Sequence, residues 1–159
     1  MQTALSATLR DTPTGREADR ILRSCVHCGF CNATCPTFQL LGDERDGPRG
    51  RIYLIKEMLE SGTATRQTQQ HLDRCLTCRA CETTCPSGVQ YHRLLEIGRA
   101  EVELRVRRSW LERFKRTALL RIVPEPSRFR SMAALARWAR PLLPAGLKKA
   151  VPAQPAPAA

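Results

Sequence analysis

The feature that most constrains this chain is a pair of matching cysteine runs. The first run, C-x2-C-x2-C-x3-C followed by proline, consists of Cys25, Cys28, Cys31 and Cys35. The second run repeats the same spacing fifty residues later with Cys75, Cys78, Cys81 and Cys85, again followed by proline. Together the runs contain all eight cysteines of the 159-residue chain. Any fold of this sequence must therefore position two copies of one sulfur-bearing loop with an approximate two-fold relation.

This spacing is typical of proteins that bind two [4Fe–4S] clusters. Cysteines at i, i+3 and i+6 can surround one cluster on a tight loop, whereas the fourth, held at a change of direction by the next proline, reaches the other cluster. Thiolates are the soft ligands that such clusters take. We therefore predict one cluster held by Cys25, Cys28, Cys31 and Cys85, and a second held by Cys75, Cys78, Cys81 and Cys35.

Other uses of cysteine explain the pattern less well. A zinc site needs four ligands and leaves the i+6 cysteine and the proline without a role. Redox-active CxxC pairs usually accompany a βαβ pattern, which is absent here. The first residues lack the apolar segment of a secretory signal, and no stretch approaches the length of a membrane span. We therefore expect a cytoplasmic protein, in which a disulfide framework is disfavoured.

Charge divides the chain into regions with different tasks. Residues 1–104 contain 13 basic and 13 acidic residues, whereas residues 105–149 contain 13 basic and only two acidic ones, so the net charge of +11 lies behind the cysteine runs. We expect a flexible N-terminus over residues 1–13 and a cluster-binding domain over 14–104. A basic helical extension is expected over 105–145, and a Pro/Ala linker or tail over 146–159.

Apolar periodicity predicts an all-α fold. Residues Ile52, Leu54, Ile55, Met58 and Leu59 show helical spacing between Pro48 and a Ser-Gly stop. By similar signals we predict helices over 14–24, 49–60, 67–74, 89–107, 110–123 and 127–143, with no strand. The cysteine runs are expected to form cluster-binding loops between the first four of these helices, and the basic helices follow.

The residues around the runs carry a more specific signal, because 39 mostly helical residues separate Cys35 from Cys75. The segments ILRSCVHCGFCNATCPTFQLLGDERDGPRGRIYLIKEMLE and HLDRCLTCRACETTCPSGVQYHRLLEIGR resemble the amino-terminal, cluster-binding half of glycolate oxidase (glycolate dehydrogenase) iron–sulfur subunits. The resemblance implies an α-helical ferredoxin-type domain. Members of that family continue into a half with CCG-type cysteine repeats, whereas here no cysteine follows Cys85.

The same resemblance implies a role in electron transfer. Flavoprotein subunits of the complex would oxidise a 2-hydroxy acid, glycolate, and this subunit would relay electrons from their flavin toward a membrane or quinone acceptor. The chain itself is expected to carry electrons and not to turn over substrate, so no catalytic residue is assigned. Related iron–sulfur subunits serve lactate or glycerol-3-phosphate, so the donor is not fixed by sequence alone.

Charged residues near the runs are candidates for tuning cluster potentials. Arg49 and Arg51 would add positive charge, and backbone N–H groups of the helix after Pro48 would face cluster sulfurs. An ordinary loop and helix start explain this segment equally well. His27 and His92 are poor ligand candidates, because the sets of four cysteines are already complete.

The basic third combines cationic and apolar side chains. Between Arg105 and Val123 lie Trp110, Leu111, Phe114, Leu119, Leu120 and Ile122 among basic residues. Such a helix fits an anionic membrane surface, an acidic patch on partner subunits, or simply a helix whose apolar side packs on its own domain. Nucleic acid is a further alternative for a basic, cluster-containing or zinc-stapled module, and we disfavour it because the preceding domain is a redox one.

Overall fold

The structure is a computed structural model that describes residues 1–142 together with residues 144, 148 and 151. All regular structure within these residues is helical, and none of it is β-strand, which confirms the predicted all-α class. The α-helices are α1 (Ala7–Arg10), α2 (Pro13–Ser24), α3 (Pro36–Leu41), α4 (Pro48–Ser61), α5 (Arg66–Asp73), α6 (Ala80–Thr83), α7 (Tyr91–Arg105), α8 (Trp110–Ile122) and α9 (Pro126–Trp138). Short 3-10 turns occur at Phe30–Asn32, Glu44–Asp46 and Arg140–Leu142.

The chain divides into two compact units, residues 1–107 and residues 108–159. The first unit contains both cysteine runs and helices α1 to α7, and the second contains α8 and α9. The expected Pro/Ala tail at 146–159 lies outside the described residues, apart from positions 148 and 151.

A helical core holds the first unit together. Helix α7 packs against α2, α4 and α5, and each of these helices turns its apolar stripe inward. The buried side chains are Ala18, Ile21 and Leu22 of α2, Ile52, Ile55, Met58 and Leu59 of α4, Leu72 of α5, and Leu94, Leu95, Ile97 and Val102 of α7. This core is built from helices before, between and after the two cysteine runs, and it continues into the runs, since Cys25 and Cys81 are among its buried residues.

Helix ends follow local sequence signals. Helix α2 begins at Pro13 after Thr12, whose side chain accepts a hydrogen bond from the Gly15 N–H, and α4 begins at Pro48. Helix α4 ends at Gly62, which adopts a left-handed φ of 72°. These signals explain why the bounds of α2, α4, α5, α7 and α8 differ by only one or two residues from those predicted.

The N-terminal segment corrects the expectation of a flexible terminus over residues 1–13. Leu5 is buried, the Ser6 amide donates to the Leu59 carbonyl oxygen at 3.1 Å, and the Ala4 amide donates to Glu60 Oε1 at 2.7 Å. Met1 and Leu9 pack at the edge of the core beside Leu5. The segment is therefore a docked part of the first unit.

The second unit is two exposed helices. Helix α8 begins with a capping box between Ser109 and Glu112, and neither α8 nor α9 contains a buried residue. Helix α9 ends at Trp138, earlier than the predicted 143, because Pro141 cannot donate to a helix and restricts the residue before it. Position 143 lies outside the described residues.

Candidate metal centre

The two cysteine runs adopt matching backbone conformations. His27 and Thr77, at the same position of each run, have φ values of 61° and 57°, and Gly29 and Arg79 have φ values of 89° and 61°. His27, Thr77 and Arg79 are the non-glycine residues with positive φ in the described part of the chain. Such conformations cost about 1 kcal/mol or more each and persist where the surroundings impose them. The surroundings of the two loops therefore impose this backbone conformation, which the residues themselves do not favour.

In each run, the third cysteine lies in a short helical turn. Cys31 lies in the 3-10 turn at Phe30–Asn32, and Cys81 lies in the equivalent short helix α6. Cys35 then caps α3, with Pro36 at the first helical position, so the chain changes direction at the fourth cysteine. All eight thiols are free.

A first cavity is lined by Cys25, Cys28, Cys31 and, from the other run, Cys85. Its volume, including the space at its opening to solvent, is about 440 Å³. Pro48, Arg49 and Tyr91 complete parts of its wall, and a fifth cysteine, Cys81, lines this cavity as well as the second.

A second cavity is lined by Cys75, Cys78, Cys81 and, from the first run, Cys35. Its volume, measured in the same way, is about 390 Å³. Each cavity thus contains the four cysteines that the spacing predicts for it, and the first also contains Cys81. Which sulfur binds which cluster remains a prediction.

The donor set fits an iron–sulfur cluster in each cavity. Each cavity offers four thiols, the soft ligands that [4Fe–4S] clusters take, within walls that are mostly apolar. Burial raises the pKa of Cys81 to about 12 and that of Cys31 to about 11, so these sulfurs stay protonated unless a bound cation stabilises the thiolate. Loading the site must therefore release protons.

A buried ion network lies beside the second cavity. Asp46 and Arg51 are both fully buried, and Arg51 Nη2 lies 3.5 Å from Asp46 Oδ1. His71 Nδ1 and Arg74 Nη1 also donate to this carboxylate, at 2.9 and 2.8 Å. Burial raises the pKa of Asp46, but the hydrogen bonds from His71 and Arg74 outweigh it, and the pKa lies below its ordinary value. Asp46 is therefore ionised and holds Arg51 in place.

Arg51, a predicted tuning residue, lines the second cavity. Its Nη1 lies 4.0 Å from Cys35 Sγ and 3.2 Å from Thr37 Oγ1, and its Nε donates to the His71 carbonyl oxygen at 2.7 Å. Its guanidinium thus brings a buried positive charge next to a predicted cluster ligand.

Arg49, the other predicted tuning residue, lines the first cavity and is paired with Glu44 at 2.6 Å. The expected alignment of N–H groups at the start of α4 is corrected at two positions. The Arg49 amide donates to Asn32 Oδ1, and the Arg51 amide donates to the Gly47 carbonyl oxygen. These two N–H groups are directed at oxygen, not at sulfur.

The two histidines named in the sequence analysis lie at the rims of the cavities. His27 lines the first cavity and makes an edge contact with the Tyr53 ring, with centroids 5.3 Å apart. His92 lines the second cavity, and its Nδ1 lies 2.6 Å from Glu82 Oε1. Their role as non-ligands stays a prediction.

Two side chains that lie beside the cysteine sulfurs were not predicted from the sequence. Thr37 Oγ1 lies 3.2 Å from Cys35 Sγ, and the hydroxyl of buried Tyr91 donates to Cys75 Sγ at 3.7 Å. Thr37 follows the Cys-Pro pair closely enough for the sequence to have indicated it. Tyr91 lies sixteen residues from Cys75 and only the fold brings it there.

Comparison with known proteins identifies the class first. Residues 21–89 match the family described as "4Fe-4S dicluster domain", and this part of the chain is such a domain. No solved structure matches the chain significantly.

Two curated relatives then make the assignment more specific. The chain is 57% identical over 154 residues to the glycolate oxidase iron-sulfur subunit of Escherichia coli (strain K12), an alignment that covers 97% of this chain and 38% of the relative. It is 39% identical over 117 residues to a probable glycolate oxidase iron-sulfur subunit of Bacillus subtilis (strain 168), which covers 72% of this chain and 26% of the relative. The predicted resemblance to these subunits is confirmed, and the chain spans less than two fifths of their length.

Helix length gives one further finding. Among the described helices, none is both long enough and apolar enough to cross a membrane.

Proposed function

We propose that this chain is the electron-transfer iron–sulfur part of a flavin-dependent 2-hydroxy-acid dehydrogenase complex that acts on glycolate. The observation that carries this proposal is that eight free thiols line two cavities, and that each cavity contains its predicted set of four, including Cys85 or Cys35 from the opposite run. The names of the two relatives support glycolate as the substrate of the complex.

In this proposal each cavity holds one [4Fe–4S] cluster. Cys25, Cys28, Cys31 and Cys85 hold the first, and Cys75, Cys78, Cys81 and Cys35 hold the second. When bound, such clusters accept and release single electrons at potentials set by hydrogen bonds, charge and solvent exposure. The protein holds the sulfurs on strained loops, excludes most water with apolar walls, and directs charged side chains at the sulfur ligands.

The electron balance fits two one-electron sites. Oxidation of glycolate to glyoxylate releases two electrons and two protons, which a flavin on partner subunits takes up together. The reduced flavin then gives up its electrons one at a time to this chain, and a membrane or quinone acceptor receives them. The carboxylates beside the cavities are engaged by arginine or histidine, as Asp46, Glu44 and Glu82 are, which supports a carrier of electrons and not a site of substrate turnover.

The basic helices support a peripheral contact with the inner face of the cytoplasmic membrane. Trp110, Phe114 and Trp138 are each about two thirds to three quarters exposed on α8 and α9, among arginines and lysines. Basic residues near an anionic surface contribute about 1 kcal/mol each, and aromatic side chains favour the interface. Flotation with anionic liposomes at low salt tests this contact, and protein that stays at the bottom of the gradient would contradict it.

Anaerobic purification together with the flavoprotein partners tests the main proposal. We expect brown protein with about eight iron atoms per chain and an electron paramagnetic resonance (EPR) signal that appears on addition of glycolate. A variant with Cys78 replaced by alanine should weaken that signal, whereas alanine in place of the exposed Thr83 should not. Colourless protein that contains zinc, or clusters that glycolate never reduces while dithionite does, would contradict the proposal.

A further inference from the structure

The two cavities share one kind of support. In the second run, the Arg99 guanidinium donates to the carbonyl oxygens of Leu72 and Cys75 at 2.9 and 2.8 Å. In the first run, the Met1 nitrogen donates to the equivalent carbonyl oxygens, at 3.5 Å to Leu22 and 2.6 Å to Cys25. Each loop therefore has a nitrogen donor at the same two backbone positions, and this contact does not distinguish the sites.

The two sites differ in the side-chain groups that contact their cysteine sulfur atoms. At the second site, Arg51 Nη1 lies 4.0 Å from Cys35 Sγ, and the Tyr91 hydroxyl donates to Cys75 Sγ at 3.7 Å. Thr37 Oγ1 also lies 3.2 Å from Cys35 Sγ, but its hydroxyl donates to the Asp46 carbonyl oxygen at 2.7 Å. At the first site, no side-chain N–H or O–H group from the described part of the chain donates to the sulfur of any of its four cysteines. Among the described residues, a polar side-chain atom within hydrogen-bonding distance of a sulfur there is Asn32 Oδ1, an acceptor, 4.0 Å from Cys31 Sγ.

The charged side chains beside the sulfurs also differ between the two sites. Beside the second site, buried Asp46 faces two guanidinium groups, that of buried Arg51 and that of Arg74, which is 41% exposed, so the three groups together carry one positive charge. Beside the first site, Arg49 is matched by Glu44 in a single pair that is partly exposed. Because Arg51 is fully buried and Arg49 is partly exposed, water screens the charge of Arg51 less than that of Arg49.

Solvent exposure is similar at the two sites, so it does not offset the difference in donors and charge between them. Each site has one exposed cysteine, Cys28 in the first and Cys78 in the second, at equivalent positions of the runs. Both cavities thus open to solvent through the same part of the loop. What separates the sites is the set of donors and the net charge beside the sulfurs.

We propose that Arg51 and Tyr91 give the site of Cys35, Cys75, Cys78 and Cys81 the higher reduction potential of the two. Reduction adds negative charge that spreads onto the sulfur ligands, so donors and a buried cation beside them favour the reduced form. This inference rests on the proposed function, because it requires a [4Fe–4S] cluster in each cavity. It adds that an electron within the domain is more stable at the second site than at the first.

A potentiometric titration of the iron-loaded full chain, followed by EPR, tests the inference. Serine in place of Cys28 or Cys78 changes the ligand of one site at a time and assigns each reduction wave. In the unaltered protein we expect two waves, with the higher one altered by Cys78→Ser. Tyr91→Phe removes one hydroxyl and keeps the ring, so it should move the higher wave to more negative potential and leave the lower wave in place.

The controls separate tuning from structural damage. Tyr53→Phe removes the hydroxyl of an exposed tyrosine and should move neither wave. Arg51→Lys, which keeps the charge, should shift the higher wave less than Tyr91→Phe does. Equal potentials, the reverse order, or a Tyr91→Phe shift of the lower wave would overturn the inference while leaving the two-cluster proposal intact. Protein that takes up no iron would instead overturn the proposed function itself.

Discussion

Thr34 and Thr84 occupy the same position in the two cysteine runs, and their hydroxyl oxygens lie 3.2 Å apart. Each hydroxyl also lies within hydrogen-bonding distance of the Ala80 carbonyl oxygen, at 3.2 Å from Thr34 and 3.4 Å from Thr84. The sequence repeat is therefore also a structural one, and its halves touch through equivalent residues. This contact holds the runs close enough for each fourth cysteine to reach the opposite cavity.

The crossed grouping of cysteines has a direct genetic test. Because Cys85 lines the cavity of the first run and Cys35 that of the second, we expect Cys85→Ser to alter the same EPR signal as Cys25→Ser. Likewise Cys35→Ser should alter the same signal as Cys75→Ser. Spectra of the four variants, loaded with iron under identical conditions, check this. If Cys85→Ser instead matched Cys75→Ser, each run would bind its own cluster.

The buried pair of Asp46 and Arg51 should contribute strongly to stability. Asp46→Ala leaves the Arg51 guanidinium buried without a carboxylate, which typically costs about 3–5 kcal/mol in the free energy of unfolding. Anaerobic denaturant unfolding measures this loss. Asp43→Ala, which removes an ion pair with Arg45 nearer the surface, serves as the control and should change little.

A double variant separates the charge from the space it occupies. Arg51→Met added to Asp46→Ala removes the unpaired cation and fills part of its volume with apolar atoms, so stability should partly return. Failure of the double variant to recover any stability would show that the hydrogen bonds of Arg51 to His71 and Thr37 matter more than its charge.

Close packing of α4 against α7 gives another prediction. A Cβ at Gly98 would lie 2.7 Å from Ile55 Cγ1, so Gly98→Ala should overpack the core and cost about 1–3 kcal/mol despite its better helix propensity. Ile55→Ala removes the obstructing atoms. In a double-mutant cycle measured by denaturant unfolding, the two changes should therefore be less destabilising together than the sum of their separate effects. Strict additivity would contradict this packing.

Much of the fold follows from the sequence because its signals are local. The helix bounds depend on residues such as Pro48 and Gly62, which act within one turn. The docked N-terminus was missed although Met1, Leu5 and Leu9 are spaced for one helical face, because three apolar residues in a polar segment are a weak signal. Tyr91 is different in kind: nothing near it in sequence indicates a cysteine sulfur, and only the packing of α7 brings the two together.

The docking of the N-terminus should respond to acid through Glu60. Burial raises the pKa of this carboxyl, but hydrogen bonds from Lys56 and the Ala4 amide outweigh it, so the pKa lies below its ordinary value of 4.5. A carboxyl of this kind stabilises fully above its unfolded pKa and loses its contribution as the pH falls through the folded value.

The variant Glu60→Gln makes this pH dependence measurable. We expect it to be about 0.5–1 kcal/mol less stable than the unaltered protein from neutral pH down to about 4.5, with the difference shrinking at lower pH. Denaturant unfolding of both proteins at matched pH gives the difference directly, since cluster lability affects both. Glu57→Gln, on the exposed side of the same helix, is the control and should show no such trend.

Removal of iron should unfold much of the first unit, because the cysteine loops are poorly stable by themselves. His27, Thr77 and Arg79 are held at positive φ, and each cavity joins cysteines from both runs. Without a cluster, that strain is no longer offset and the runs lose their cross-connection, while four thiols in each cavity are left facing one another. The loops then no longer hold α2 and α7 together, and their buried side chains, such as Ile21 and Leu94, become exposed to water. Circular dichroism during anaerobic chelation should show helicity falling in step with the visible absorbance of the clusters. Helicity that persists after all iron has left would mean that the helical core folds without metal, and that the clusters are bound by a preformed scaffold.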